Sequence, residues 1–485
     1  MLFRSRRAWL LPVLAFAVTV TALLQTIVVP VLAPIGDALH ASPSDVGWVL
    51  TANLLAAAVL TPVLGRLGDV HGRRPVLLGI LSTVAAGSLL AALTSSLPLL
   101  VAARVLQGAS FGLFPLSIGI LRDELPAHRL TGAMAVVSGA LGAGGGVGLV
   151  LTGLLTRGGG DYHRVFWLAL GVALLALLLS ALVVPRRERA AGREGGVDWL
   201  GGAVLGASLV LLLLPLSKGG QWGWTSPVTL GCLAACVVVF AGWVVLEHRV
   251  RTPLVTPVLM ANRRVLVTNA AGVFVGLSVF VAFLGVSSFV QTPSSTGYGF
   301  SASVLSASAA YLLPGALAGV VAAPVGGRLV TRLGGRAVLL LAALTGSVGF
   351  ALMAALHTAS WQLITGSLLV NVAVSLGFAA MPALIVAEVP PDQTGVANGV
   401  NSICRSVGSA LGSALVVTLL ASDVLPSGLP RESAYVGAFA IGAAGCLLAA
   451  VLVAVGLPRP PRRDDLVDLE AAQLAGEWAV ASSRG

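Results

Sequence analysis

Two arginines stand inside long apolar runs. Arg104 is followed by Gln107-Gly108, and Arg405 is preceded by Asn401. Even on the lowest scale, an arginine at the centre of a bilayer costs about 2.5–3.5 kcal/mol. Each must therefore face other helices or a wet cavity. The chemistry of such a group is recognition of oxygen: a carbonyl across the bundle, or an anionic or hydrogen-bond-accepting solute. Arg104 and Gln107 share a helix face at i,i+3. Arg104 is also near enough to the end of its run to snorkel to the surface. For Arg405 the alternative is structural, bonding the carbonyls of neighbouring helices. A third feature is the run Gly65-Arg66-Leu67-Gly68-Asp69-Val70-His71-Gly72-Arg73-Arg74. Its glycines permit close backbone approach and positive φ in a tight turn. Asp69 is an anion among cations, able to pair with them or with the positive end of a helix.

The 19 acids and six histidines map between the apolar runs or to their ends. None stands in mid-run, where pumps keep the groups that titrate. No run joins a nucleophile to a base, and no cluster has metal-ligand spacing. An intramembrane enzyme, a metal site and a cofactor therefore have no support. Cys232, Cys236, Cys404 and Cys446 all fall in apolar runs and read as small packing residues.

Holding such groups requires helices in lipid. Of the 485 residues, 57% are hydrophobic and 10% charged, with a mean hydropathy of +0.96. A soluble domain carries about 25% charge. The net charge of +10 does not imply a nucleic-acid partner, because the basic residues lie in short clusters between apolar runs. A helix crossing a hydrocarbon core of about 30 Å needs about 20 apolar residues. Fourteen windows qualify: 8–34, 46–66, 75–94, 97–121, 131–155, 164–184, 199–216, 227–246, 265–290, 302–325, 336–356, 359–386, 394–420 and 434–457. The first outruns the roughly 7–15 apolar residues of a signal peptide and reads as a retained helix. Counted over these windows, 23 basic residues fall on the side of the termini. Only Arg157, Arg164, Lys218 and Arg431 fall on the other. The positive-inside rule then places both termini in the cytoplasm of a multi-pass cell-membrane protein.

The chain also repeats. Gly65 to Arg74 after the second window matches Gly327 to Arg336 after the tenth at five of ten positions. Leu125-Pro126 and Thr131-Gly132 match Val389-Pro390 and Thr394-Gly395 at nearly the same offset. The second copy has Thr331 in place of Asp69. Two related six-span halves with two helices inserted between them form a transporter architecture, with its substrate site at the half-interface. The expected divisions are 1–195, the inserted pair at 196–262, 263–458, and a solvated tail at 459–485.

With these residues the chain resembles the major facilitator superfamily, in its fourteen-helix drug:proton antiporter branch. Gly65-x-Leu67-x-Asp69-x-x-Gly72-Arg73-Arg74 is similar to the superfamily's motif between helices 2 and 3. Arg104-x-x-Gln107-Gly108 is similar to its helix 4 motif. Glu247-x-Arg249-x-x-x-Pro253 with Asn262-Arg263, and Gly220-x-Trp222 with Trp224, resemble loops flanking the inserted helices. The resemblance implies an all-α membrane protein of major facilitator fold with 14 transmembrane helices. It implies a conformational latch at Gly65, Asp69, Gly72, Arg73 and Arg74, and a part for Arg104 in proton relay or helix coupling. The glycines of span 5, among them Gly144, Gly148 and Gly153, resemble the antiporter motif that packs this helix along the half-interface. Here Gly148 is followed by Leu149 where the family has proline.

By the same resemblance, spans 1, 4, 9 and 12 line a cavity. Its polar candidates are Gln25, Thr26, Gln107, Ser287, Gln291, Asn371 and Ser375, with Asn53 and Tyr311 beside them and Arg405 on span 13. The branch carries an acid in helix 1; here Gln25 takes its place and cannot titrate. The reading implied is a monomeric exporter of lipophilic small molecules, drugs or antibiotics, with protons as the coupling ion. Asp37, Asp45 and Glu388 are then the acids to test for reach into an aqueous cavity. The alternative is an uncoupled facilitator, or a carrier of lipid-like or anionic substrates, of the same fold.

Overall fold

The computed structural model describes residues 2–41, 43–155, 161–186, 198–250, 253, 261–390 and 393–458. The tail 459–485 lies outside the described residues, as do Arg157, Arg187, Arg189, Arg193 and Arg251 of the orientation count. The described chain is helical, with one isolated bridge between Val424 and Pro430. Fourteen helices are long and apolar enough to cross a membrane. We number these α1 to α14. They are α1 (Leu2–Thr26), α2 (Trp48–His71), α3 (Arg73–Leu93), α4 (Leu97–Glu124), α5 (Ala127–Leu155), α6 (His163–Val183), α7 (Trp199–Trp222), α8 (Pro227–Arg249), α9 (Arg263–Gln291), α10 (Ala307–Leu333), α11 (Gly335–Ala355), α12 (Ser360–Glu388), α13 (Thr394–Ser422) and α14 (Glu432–Gly456).

Three windows differ in detail from the apolar pattern. The first does not run unbroken to 34. Its helix ends at Thr26, and the chain continues as a 3₁₀ turn, Val29–Val31, and a short helix, Leu32–Ala38. Pro30 explains the break, since it lacks an N–H and disfavours the α conformation in the residue before it. α4 tightens to 3₁₀ geometry at Ala109–Gly112. α10 opens with a π-helical stretch, Ala307–Leu312, that carries Tyr311.

The run from Gly65 to Arg74 is mostly helix rather than loop. α2 continues to His71 and α3 begins at Arg73, so Gly72 alone makes the turn, at φ 97°. The repeat uses the same device, with Gly334 at φ 83° between α10 and α11. Positive φ with ψ of 137° and 156° is a conformation that essentially only glycine adopts, costing another residue about 1–3 kcal/mol.

α1–α6 share one apolar core, including Leu14, Leu81, Leu116 and Phe166. α9–α14 surround Phe289, Phe350 and Phe439. The halves meet along two seams, α2 against α13 and α5 against α10. Lipid tails are as apolar as leucine, so such seams depend on close packing of small residues. Gly65 lies 2.9 Å, measured from an added Cβ, from the Gly395 carbonyl oxygen. A Cβ on Gly139 or Gly146 would overlap Ala323 or Ala316 of α10. Of the inserted pair, α7 packs on both α2 and α13, where Leu205, Leu209 and Leu213 meet Ala58 and Ile403. α8 packs on α7 and leaves Val237 and Val238 exposed.

Candidate functional site

Three of the buried polar assemblies hold the motif residues and the two mid-run arginines. The first closes the face on which both termini lie. Asp69, on the last turn of α2, is buried. Its Oδ1 accepts from Arg73 Nη2 at 2.8 Å. Its Oδ2 accepts from the backbone N–H groups of Gly395 and Val396, at 3.1 and 3.3 Å. Those amides open α13, and the first turn of a helix has no internal acceptors for its N–H groups. The carboxylate therefore joins the N-half to the C-half across the seam. Arg73 also donates to the Gly119 carbonyl at 3.2 Å and pairs with Asp123. Gly119 must lack a Cβ, which would overlap the guanidinium. Arg74 caps α6 through the Ala181 carbonyl at 2.8 Å. Arg122 crosses the seam as well, donating to the carbonyls of Val389 and Pro390 at 2.9 and 3.2 Å and to Thr394 Oγ1.

The second assembly surrounds Arg104, which is 1% exposed. Its Nε donates to the Val49 carbonyl of α2 at 2.9 Å. Its Nη1 donates to the Leu24 carbonyl of α1 at 3.0 Å and to Gln107 Oε1 at 2.6 Å. Gln107 Nε2 continues to Ser88 Oγ of α3 at 2.9 Å, and Asn53 Nδ2 donates to the Arg104 carbonyl at 3.0 Å. Arg104, Gln107 and Asn53 thus tie four helices of the N-half together. Gly108 allows it, since a Cβ there would lie 2.9 Å from the Asn53 carbonyl oxygen.

The third surrounds Arg405, 7% exposed. Nη1 donates to Asn401 Oδ1 at 2.6 Å and Nη2 to Ser402 Oγ at 3.3 Å. Asn401 Nδ2 passes on to Asn269 Oδ1 of α9 at 3.1 Å. The guanidinium carbon lies 4.9 Å from the ring centroids of both Phe114, on α4, and Phe378, on α12. α9 approaches closely because Gly276 has no Cβ to meet the Arg405 carbonyl.

The remaining polar candidates are scattered. Gln25 is half-buried and makes no hydrogen bond among the described residues. Thr26 Oγ1 returns to the Ala22 and Leu23 carbonyls of its own helix, at 3.2 and 3.3 Å. Asn371, half-buried, bonds the Ser367 carbonyl at 2.9 Å. Ser375 reaches the Gly319 carbonyl of α10 at 2.7 Å, and Gln291 bonds Ser287. Gly144 and Gly148 face α1, where a Cβ would meet the Thr19 carbonyl or Thr26 Oγ1. Gly153 faces Leu305, beside α10. Asp37 and Asp45 are exposed, and Glu388 is held by Arg264 Nη1 at 2.5 Å and Asn262 Nδ2 at 3.1 Å. Among the described residues, no three His, Cys, Asp or Glu side chains group as a metal site.

On the face opposite the termini, His163 bonds Asp161 at 2.6 Å and the Thr94 carbonyl at 3.0 Å, and His357 bonds Glu432 at 2.7 Å. These join the third to the sixth helix of each half. Burial would raise the Asp161 carboxyl, but the backbone N–H and ring of His163 outweigh it and hold it below the usual carboxylate value.

Sequence reasoning missed Asp123, Gly119, Arg122 and the α13 amides. Asp123 was visible only as one of two adjacent acids ending a span. Gly119 and Arg122 carried no pattern, because their partners lie 46 residues away or more.

The comparisons with known proteins agree with this geometry. The model of the Major Facilitator Superfamily matches residues 14–413 and, again, 275–483. The tetracenomycin C resistance and export protein of Streptomyces glaucescens is 33% identical over 430 residues, 86% of this chain and 78% of that one. Multidrug resistance protein 3 of Bacillus subtilis is 27% identical over 385 residues, 77% of this chain and 72% of its own. The human organic anion transporter MFSD10 shares the fold, with a TM-score of 0.65 at 19% identity over 92% of this chain and 98% of that one. Fourteen membrane helices in two repeated halves, joined by an aspartate seated on the first turn of α13, thus coincide with a sequence match along most of the chain, and the protein belongs to the major facilitator superfamily.

Proposed function

We propose that this transporter exports lipophilic small molecules, drugs or antibiotics, from the cytoplasm by alternating access. The observation that carries the reading is the Asp69 junction between α2 and α13. A carboxylate on a helix N-terminus contributes about 0.3–1 kcal/mol, and up to about 2 when partly buried. A term of that size biases two access states without locking either. The export direction is supported by relatives named for resistance and export. In this reading Gly65, Asp69, Gly72, Arg73 and Arg74 form the latch, Gln25, Thr26 and Asn371 face the substrate path, and Gly144, Gly148 and Gly153 pack the moving seam. Asn53, Arg104 and Gln107 couple the N-half helices. The units are 1–195, 196–262 and 263–458, the protein works as a monomer in the cell membrane, and both termini are cytoplasmic.

The drive is the proton gradient. A second reading, an uncoupled facilitator, is favoured by one observation: Gln25 stands where the branch has an acid. Efflux-deficient cells loaded with lipophilic dyes and antibiotics separate the two. Proton-driven export requires lower accumulation that an uncoupler abolishes. Faster equilibration that is equal with and without the uncoupler would overturn it and leave the facilitator.

A further inference from the structure

We propose that Arg405 is the counter-charge for an anionic aromatic substrate, a carboxylate or phenolate, bound at mid-membrane between the two halves. The proposal rests on the transport reading above and names its substrate class.

Depth is the first argument. Arg405 lies eleven residues from the start of α13 at Thr394. Phe114 and Phe378 each lie ten residues from the ends of α4 and α12, at Glu124 and Glu388. All three ends are on the same face of the bundle. At 1.5 Å per residue, the guanidinium and both rings sit roughly 15–17 Å deep, about half of a hydrocarbon core.

Charge is the second. Arg405 has five N–H donors. Its two hydrogen bonds among the described residues go to neutral oxygens, Asn401 Oδ1 and Ser402 Oγ. No carboxylate pairs with it among those residues, unlike Arg73, which has Asp69 and Asp123. Arg104 has no acidic partner among the described residues either, but it is spent on the carbonyls of α1 and α2. Among the described residues, Arg405 donates to no backbone carbonyl. A buried guanidinium with free donors matches the two oxygens of a carboxylate in a bidentate pair. Asn269 and Asn401 fix its orientation.

The flanking rings are the third. Phe114 belongs to the N-half and Phe378 to the C-half. Aromatic rings also pack against an aromatic solute, offset or edge to face, so ring edges left open beside the guanidinium can hold one. A ligand bridging them would touch both halves, so its binding would differ between access states.

The test uses the purified full-length protein and three probes: 2-naphthoate, its uncharged analogue 2-naphthamide, and cationic ethidium. Equilibrium binding should favour naphthoate at least tenfold over naphthamide and exclude ethidium. Arg405→Gln should remove that preference, weakening naphthoate about tenfold or more, and an unchanged thermal midpoint of the detergent-solubilised protein shows that the variant is folded. Should Arg405→Gln fail to fold, Arg405→Lys keeps the charge without the planar fork, and the preference for naphthoate over naphthamide must then fall severalfold. In proteoliposomes a valinomycin-imposed potential should drive naphthoate toward the positive side. Equal binding of naphthoate and naphthamide, or a preference that survives in Arg405→Gln, overturns the proposal. The cell efflux assay stands apart from this one. Dye export without an anion preference sinks the Arg405 site and keeps the exporter. Arg405-dependent naphthoate binding without dye export does the reverse.

Discussion

Arg104 and Arg405 look alike in sequence, each a lone cation in an apolar run with an amide three or four residues away. Their surroundings separate them. Arg104 bonds the main chain of two other helices, so it holds the N-half together. Arg104→Met would leave the Leu24 carbonyl and Gln107 Oε1 without their donor and take a second donor from the Val49 carbonyl. Each buried unsatisfied group costs about 1–3 kcal/mol. The expected result is a clear drop in the thermal midpoint of the detergent-solubilised protein, with no substrate present, and only partial recovery in Arg104→Lys, which cannot reproduce the fork. An unchanged midpoint would mean that Arg104 is not structural.

At the scale of helices, glycine placement decides which surfaces meet. On α5, Gly144 and Gly148 are one turn apart and face α1, while Gly139, Gly146 and Gly153 recur every seven residues and face α10 and Leu305. One helix can therefore lie close to both halves. The inserted helix α7 bridges them from the lipid side. Just beyond its end, Trp224 Nε1 donates to Thr418 Oγ1 of α13 at 3.0 Å, and within it Gly206 packs on Val59 of α2. A Cβ on Gly206 would stand 3.5 Å from Val59 Cβ, within the range a disulfide needs. In a chain whose four cysteines are replaced by alanine, Val59→Cys with Gly206→Cys should cross-link in membranes under mild oxidation. Pairing either cysteine instead with one at exposed Val238 of α8 should not. Failure of the first pair would place α7 elsewhere.

For the whole molecule the relevant quantity is the balance between access states. Asp69→Asn keeps an acceptor for the α13 amides but loses the charge that suits their dipole and Arg73. A loss of about 0.3–1 kcal/mol shifts the population about two- to fivefold. Spin labels at exposed Arg129 and Arg328, on the termini side of α5 and α10, should then show a larger long-distance fraction by pulsed electron resonance. The same distribution in parent and variant would remove Asp69 as a latch.

Sequence alone determined the class, the fourteen helices, the two-fold repeat and the string from Gly65 to Arg74. Each is a local property: apolar length follows from the thickness of the bilayer, and the repeat and the motif are contiguous strings. The string offered Gly65, Gly68 and Gly72 for the turn, and only the structure assigned it to Gly72 and, in the repeat, to Gly334. What the sequence could not settle was every contact between distant segments. Asp69 needed α13, 326 residues away, before its partner amides could be named. Asp123 and Glu124 were equivalent until Arg73 paired with the first. The difference between a structural arginine and one with donors to spare lay in which carbonyls the fold carried to each. Composition decides that a buried cation must be answered, and only the tertiary structure decides by what.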